Sequence, residues 1–273
     1  MKLLGCVKIV PDLEQLSEED WIVDEKQNID VSFVKTQWNC FDESALEMML
    51  RLSDLSEGFN VIFELDALTI GREICENYLK TLYALGYEKT VRIECEEELR
   101  FWPEMTARLI AEYVSQKGGQ DVILMGIQSS VGDNGKTPLL VAEILGWPCI
   151  TQVIEIEPVD EKYLRVRNTV DGGSVTQTIA IPCVLSVGNT PNSYLRVPTL
   201  KDRMKRGKKP IERYSAEELK IKAFCEDTQP KNILVNLKNV SHQRTGILIK
   251  GATPEEKAKE LYQSYLKGRL KKL

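Results

Sequence analysis

The chain has 273 residues, of which 42% are hydrophobic and 28% are charged, and its formal net charge is −5. This composition is typical of a globular protein, and the negative balance gives no general attraction to nucleic acid. No apolar run approaches the roughly 20 residues of a membrane-spanning helix, so no membrane insertion is expected. The seven cysteines form no Cys-x-x-Cys pair, which argues against a zinc site or a disulfide framework and favours a cytoplasmic location.

Apolar runs rich in β-branched residues predict four buried strands in the first half of the chain, at Leu3–Val10, Asn60–Leu65, Thr90–Glu94 and Asp121–Gly126. The N-terminal run is interpreted as a strand rather than a signal peptide, because charged residues follow too soon. Segments of helical period separate the runs, at "FDESALEMMLRLSDL", "REICENYLKTLYALG" and "PEMTARLIAEYVSQKGG". Buried strands that alternate with helices predict an α/β fold, with a parallel sheet covered on both faces.

The pattern changes after Pro148. The segment "YLRVRNTVDGGSVTQTIAI" contains two alternating runs joined at Asp171-Gly172-Gly173, which predicts an antiparallel hairpin added to the sheet. Residues 190–273 are sparse in apolar runs and are expected to form an arm that wraps around another surface rather than a core of its own. Near the end, Thr253, Pro254 and Glu256 stand at the N-cap, N1 and N3 positions of a predicted helix.

The segment "DVILMGIQSSVGDNGKTPLLVAEILGWP" predicts a buried strand, a loop at Gly126–Thr137 and an apolar helix. Ligands of open parallel sheets bind beyond the carboxyl ends of the strands. The loop glycines Gly126, Gly132 and Gly135 allow the backbone to turn and to approach a ligand closely. Free N–H groups at the helix start suit a phosphate, and Lys136 adds a positive charge. The spacing matches neither the Walker pattern nor G-x-G-x-x-G, so a simple strand–helix turn remains an alternative.

Other predicted strand ends converge on the same edge of the sheet. "CVKIVPD" ends the first strand, "WNCFDESALE" starts a helix with Asn39 and Asp42 near its cap, and "ELDALTIGRE" follows the second strand. Each of these alone is more often a cap or a turn. Together with the glycine-rich loop they predict a nucleotide cleft.

Two features bear on partners and chemistry. Six basic residues lie within nine positions, at Lys201, Arg203, Lys205, Arg206, Lys208 and Lys209. They can be interpreted as a solvated charged face or as a docking surface, and a nucleic-acid site is less favoured. The single histidine, His242, is interpreted as a surface or interface residue, which argues against a histidine-based triad.

These motifs, taken in order, resemble the beta subunit family of electron transfer flavoproteins. The resemblance covers about 210 residues and rests on "CVKIVPD", "NCFDESALEMMLRL", the loop segment quoted above, "VDGGSVTQTIAIPCVLSV" and "YLRVPTLKDRMKRGKKPI". It implies a Rossmann-like, three-layer sheet of the adenine-nucleotide-binding type in residues 1–189. It also implies that residues 190–273 form a partner-recognition loop and a C-terminal arm that contacts an alpha subunit.

The resemblance further implies an electron carrier subunit rather than an enzyme. This chain would hold AMP or FAD, and the alpha subunit of the heterodimer would carry the redox-active FAD that exchanges electrons with flavoprotein dehydrogenases. The docking residues would be Tyr194, Leu195 and Val197. Motifs and resemblance together predict nucleotide contacts from Cys6, Asn39, Cys40, Phe41, Asp42, Asp66, Gly126, Ile127, Gln128, Ser129, Gly132, Asp133, Asn134, Gly135, Lys136 and Thr137.

Three other interpretations stay open. In an electron-bifurcating form this chain would bind a second, redox-active FAD and use NADH. An ATP-cleaving enzyme on a similar sheet needs a Ser-Gly-Gly-x-Asp-Ser-like loop, which "VKIVPDLEQL" does not supply. The third interpretation is a divergent interaction subunit that has lost its nucleotide. It stays open because Cys40 stands where the family usually has proline, and Val131 stands where an acidic residue is common.

Overall fold

The computed structural model describes residues 1–191, 193–221, 233–238 and 246–270. The strands are β1 (Lys2–Val7), β2 (Ile9–Pro11), β3 (Thr36–Trp38), β4 (Glu64–Gly71), β5 (Lys89–Glu94), β6 (Val122–Gly126), β7 (Cys149–Pro158), β8 (Tyr163–Val170), β9 (Gly173–Ala180), β10 (Cys183–Val187) and β11 (Glu212–Tyr214). The α-helices are α1 (Cys40–Asp54), α2 (Ser56–Phe59), α3 (Glu76–Leu85), α4 (Pro103–Tyr113), α5 (Thr137–Leu145), α6 (Leu200–Arg206), α7 (Pro254–Leu261) and α8 (Lys267–Leu270). Short 3₁₀ turns lie at Leu13–Gln15, Glu18–Asp20 and Glu73–Cys75, and π-helical turns at Val114–Gly118 and Tyr262–Leu266.

Nine of the described strands form one sheet in the order β11-β5-β4-β1-β6-β10-β7-β8-β9. The strands from β11 to β7 run parallel, and β8 and β9 continue the sheet as an antiparallel hairpin. The turn of this hairpin falls at Asp171-Gly172, as the sequence predicted. A separate antiparallel pair joins β2 to β3.

Alternate residues of the central strands feed two apolar layers, because side chains of a strand point to opposite faces. On one face, Leu3 and Leu124 pack with residues of α1 and α3. On the other face, Leu4 and Ile123 pack with residues of α4 and α5. The sheet with helices on both faces confirms the predicted α/β, Rossmann-like architecture.

Two strand boundaries differ from the prediction. The first apolar run is interrupted at Lys8, so β1 ends at Val7 and β2 pairs elsewhere. The second predicted strand, Asn60–Leu65, is shifted, because β4 begins only at Glu64 and continues to Gly71. The buried part of this strand is the run from Leu65 to Thr69, and the sequence interpretation had placed most of that run in the loop beyond the strand.

The chain divides into two compact units, residues 1–237 and 238–273. The first unit includes β11, and Leu219 and Ile221 belong to its core, so residues just beyond 189 contribute to the main sheet and its packing. A functional division at 189/190 stays a prediction. In the second unit, Thr253 accepts a hydrogen bond from the Glu256 N–H and caps α7, as its sequence predicted.

None of the described helices is both long enough and apolar enough to cross a bilayer. His242 lies outside the described residues.

Candidate functional site

A cleft of about 250 Å³ lies at the carboxyl ends of the parallel strands. Its walls come from the ends of β1, β4 and β6, the start of α1, the loop between β6 and α5, and the segment that follows β5. This is the edge at which ligands of open parallel sheets bind.

The carboxylate of Asp42 joins three of these elements. Its Oδ2 accepts a hydrogen bond from the Lys8 backbone N–H (2.8 Å), and its Oδ1 accepts one from the Gly126 N–H (2.7 Å). Asp42 therefore holds the ends of β1 and β6 against the first turn of α1. Burial raises the pKa of this carboxyl to about 6, although the two N–H groups oppose the rise.

Lys8 fixes the middle of the loop from the same place. Its ammonium group donates to the Val131 carbonyl (2.7 Å) and to Ser129 Oγ (3.4 Å). Burial lowers the pKa of this ammonium group, while the nearby Asp42 carboxylate opposes the change. The loop is thus held at Gly126 by Asp42 and at Val131 by Lys8.

Asn39 precedes α1 and is almost fully buried in the cleft wall. Its Nδ2 donates to the Gln128 carbonyl (2.8 Å), which fixes the orientation of the amide because a carbonyl can only accept. The other amide atom, Oδ1, is buried and has no hydrogen-bond partner among the described residues. A buried acceptor of this kind can receive a hydrogen bond from a bound ligand.

Two of the loop glycines are required by close approach. A Cβ on Gly126 would lie 2.5 Å from Asp42 Oδ1 and 2.6 Å from Phe41 Cβ, so only glycine lets α1 begin this close to β6. Gly132 has φ +92°, and a Cβ there would lie 2.4 Å from the Arg100 carbonyl oxygen. Gly132 therefore makes room for the segment after β5, and its approach to a ligand stays a prediction.

The structure brings most of the predicted contact residues to the cleft: Cys6, Asn39, Asp42, Gly126, Ile127, Gln128, Ser129, Asn134, Gly135, Lys136 and Thr137. Cys40, Phe41, Gly132 and Asp133 neighbour them in sequence but are not part of the lining. Burial raises the pKa of the Cys6 thiol well above its usual range, so Cys6 contributes an uncharged wall.

The prediction that Asp66 contacts the nucleotide is corrected, because Asp66 lies near the start of β4 and outside the cleft lining. Its carboxylate accepts a hydrogen bond from Gln120 Nε2 (2.8 Å), just before β6. The residues of β4 that do reach the cleft are Leu68, Ile70 and Gly71, at the carboxyl half of the strand. The misplaced end of the predicted strand caused this error.

Sequence reasoning missed two parts of the wall. Lys8 stands directly after β1, and the run Glu97–Arg100 follows β5. The rule that loops after parallel strands meet at one edge could have identified both. Arg100 also anchors the loop, since its carbonyl accepts a hydrogen bond from Asn134 Nδ2 (2.7 Å).

A second surface lies at Tyr194–Pro198, here called the docking loop. Tyr194 is 82% exposed and Val197 is 81% exposed, whereas Leu195 is only 9% exposed and belongs to the core. The prediction that Leu195 is exposed for docking is therefore wrong, because its side chain packs inward between its two outward-facing neighbours.

The doubly covered parallel sheet with a cleft at its strand ends defines an α/β protein of the Rossmann-like class. A family model described as "Electron transfer flavoprotein domain" matches residues 32–219, which is more than half of the chain. The chain belongs to the electron transfer flavoprotein family, and its relatives support a beta-type role in it.

Three relatives illustrate the similarity. The chain is 34% identical over 272 residues to the "Putative electron transfer flavoprotein subunit YgcR" of Escherichia coli (strain K12), and the match covers 99% of both chains. It is 27% identical over 223 residues to the "Electron transfer flavoprotein subunit beta" of Bacillus subtilis (strain 168), covering 82% of this chain and 83% of the relative. It is 27% identical over 201 residues to the "Electron transfer flavoprotein subunit beta" of Dictyostelium discoideum, covering 74% of this chain and 77% of the relative.

Proposed function

We propose that this chain is the beta subunit of a heterodimeric electron transfer flavoprotein and holds AMP in the cleft. The observation that carries the proposal is Asn39, a residue of the cleft lining whose buried Oδ1 has no partner among the described residues. An unsatisfied buried acceptor is destabilising by about 1–3 kcal/mol. A ribose hydroxyl or the adenine amino group would supply the missing donor.

The charges of the cleft favour a ligand with few phosphates. Lys8, Arg100 and Lys136 contribute three positive charges to its lining. The carboxylates that balance them are Asp42, Glu97 and Glu98. A wall of balanced charge suits a nucleoside monophosphate better than a triphosphate, whose several negative charges would face three carboxylates. The volume of about 250 Å³ lies just below the range of about 300–1,000 Å³ that is typical of small-molecule sites, which favours a mononucleotide over the larger dinucleotide.

The phosphate would lie at the start of α5, where the lining includes Gly135, Lys136 and Thr137. Backbone N–H groups of a first helical turn have no partner within the helix and favour an anion. Bound AMP would supply no redox chemistry, so its role would be structural. Lys8, Asp42 and Asn39 would hold the loop around it.

Electron transfer would then run through the FAD of an alpha subunit, with this chain supplying docking contacts for a flavoprotein dehydrogenase. The exposed Tyr194 and Val197 support this assignment. The cysteines of the described residues are free thiols, which agrees with the proposed cytoplasmic location.

The test is nucleotide analysis of the chain purified together with its alpha subunit. We expect AMP in the supernatant of the denatured wild-type complex. Asn39→Leu should lose the nucleotide, because leucine offers no acceptor. The matched control is Asn168→Leu, since Asn168 is also buried but bonds Gln177 within the hairpin.

FAD in place of AMP would support the electron-bifurcating form, in which this chain carries a second flavin. Absence of any nucleotide from the wild-type complex would contradict the proposal and support an interaction subunit. Steady turnover of ATP would instead support the enzyme interpretation.

A further inference from the structure

Helix α1 anchors the backbone of the docking loop at Leu195 and Arg196. Just before the loop, the Ser193 carbonyl lies 3.4 Å from Ser44 Oγ, whose closer acceptor is the Cys40 carbonyl (3.0 Å). The Leu195 N–H donates to Glu43 Oε1 (3.2 Å), and the Arg196 N–H donates to Glu47 Oε2 (3.0 Å). The loop backbone is thus attached to the face of one helix.

The Arg196 side chain adds the strongest of these attachments. Its Nε lies 3.1 Å from both oxygens of Glu47, and its Nη2 lies 2.8 Å from Glu47 Oε1 and 2.8 Å from Asp54 Oδ2. The Glu47 side chain is only 7% exposed. A forked arginine–carboxylate contact with a buried partner fixes both position and orientation.

This arrangement decides which side chains the loop presents. Leu195 is buried, Arg196 is bound to α1, and Tyr194 and Val197 project on either side with more than four fifths of their surface exposed. Two exposed apolar residues in a segment with this many anchors are held ready for contact rather than left to collapse onto the surface.

We propose that Arg196 and Glu47 are positioning residues that hold the docking loop in its binding conformation, with Tyr194 and Val197 as the contact groups. The inference rests on the proposed function in one respect, namely that this loop docks the dehydrogenase. Beyond the proposed function, the inference states which residues fix the loop, and it identifies α1 as the helix that supports the loop.

The surface beside the loop indicates the chemistry of the partner. Leu200 and Met204, one turn apart on α6, are exposed, and so are the neighbouring Lys201 and Lys205. Val197, Leu200 and Met204 are therefore exposed apolar residues in a stretch of chain that also carries exposed basic residues. The partner surface that fits is an apolar pocket surrounded by carboxylates.

Preorganisation sets the size of the expected effect. A loop that is already ordered does not lose that conformational freedom when it binds, and ordering one side chain at an interface corresponds to about a 3- to 10-fold change in affinity. Arg196→Ala should therefore weaken docking by about that factor without removing any contact atom of Tyr194 or Val197.

Hydrogen exchange of the full-length complex tests the anchoring directly. In Arg196→Ala we expect the amides at 195 and 196 to exchange about tenfold faster or more, because their acceptors on α1 lose the fixed loop geometry. Arg196→Lys should restore part of the protection, since lysine keeps the charge but not the fork. The control is Arg51→Ala, because Arg51 also contacts Glu47 (3.4 Å) but from within α1. Unchanged exchange in Arg196→Ala, or equal acceleration in Arg51→Ala, would overturn the proposal.

Electron exchange measures the consequence for docking. The probe is the purified dehydrogenase that reduces the flavin of the wild-type complex, and the readout is the second-order rate constant. Val197→Ala should slow the reaction strongly in the wild-type background and less in the Arg196→Ala background, because a loose loop no longer presents residue 197.

The outcomes separate the two proposals. A slow Val197→Ala beside a normal Arg196→Ala would overturn the positioning role and leave the proposed docking function intact. Normal rates in both variants would overturn docking by this loop, and with it this inference, while AMP in the cleft would still support the nucleotide part of the proposed function.

Discussion

Gly132→Ala tests whether the cleft wall depends on the contact between the loop and the segment after β5. Gly132 has φ +92°, a conformation in which a non-glycine residue is strained by about 1–2 kcal/mol. The new Cβ would also lie 2.4 Å from the Arg100 carbonyl oxygen, so the two backbones must separate. Separation breaks the hydrogen bond from Asn134 Nδ2 to the same carbonyl, which adds about 1 kcal/mol.

The lower entropy of the unfolded alanine chain offsets part of this, so the expected total is a loss of about 2 kcal/mol in the free energy of unfolding. Gly135→Ala is the matched control in the same loop. Gly135 also has a positive φ (+61°), but a Cβ there would lie no closer than 3.8 Å to another atom. Only backbone strain remains, and the lower entropy of the unfolded alanine chain offsets part of it, so about 1 kcal/mol or less is expected.

Urea denaturation of both variants measures the difference, with circular dichroism and fluorescence compared to check that unfolding is two-state. We also expect Gly132→Ala to bind AMP more weakly than Gly135→Ala in calorimetric titrations, because the Arg100 wall has moved. Equal destabilisation of the two variants would refute the reasoning, since it would mean that the contact with Arg100 contributes nothing.

Three further predictions concern other parts of the chain. Burial raises the pKa of Asp42 from an ordinary 3.8 to about 6, so the folded state holds the proton more tightly than the unfolded state does. The free energy of unfolding should therefore fall by about 3 kcal/mol as the pH rises from 4 through 6. Asp42→Asn should lack this pH dependence in urea titrations, and the same dependence in the variant would contradict the assignment to Asp42. Arg92→Met should destabilise the fold by about 2 kcal/mol in the same assay, because Arg92 loses its contact with the buried carboxylate of Glu76 while Arg213 stays paired with that carboxylate. For the exposed pair of Arg72 and Glu96, we expect less than about 1 kcal/mol in Arg72→Met. Deleting residues 253–273 should weaken the complex with the alpha subunit in sedimentation experiments more than it lowers the melting temperature of this chain, and an equal loss of both would assign the segment to the core.

The α/β class could be predicted because its signals are local. The run at β6 is short and apolar, the run at β5 is short and contains β-branched residues, and the helices between strands carry a clear period. The hairpin could be predicted from alternating residues on both sides of Asp171-Gly172. The cap of α7 could be predicted because its side chain and its target lie three residues apart.

The errors in the prediction arose where tertiary contacts determine the strand boundary or the burial of a side chain. Nothing local distinguishes Asn60–Phe63 from the strand that follows, and the shifted boundary carried Asp66 into the predicted site. Tyr194, Leu195 and Val197 are all apolar or aromatic, so only tertiary packing shows which of them is buried. The position of Lys8 at a strand end could be predicted, but its contact with Val131 could not, because the two residues are more than a hundred positions apart.

Helix α1 serves two surfaces at once, and this limits how the chain can be re-engineered. Asp42 faces the cleft, while Glu43 and Glu47 receive the backbone of the docking loop. A chimera that exchanges only residues 193–198 for those of another family member would lay a foreign loop on carboxylates matched to Arg196. Under the proposed docking role, transfer of partner choice requires the loop and the loop-facing residues of α1 to be exchanged as one unit, with Asn39 and Asp42 left in place so that the cleft is preserved.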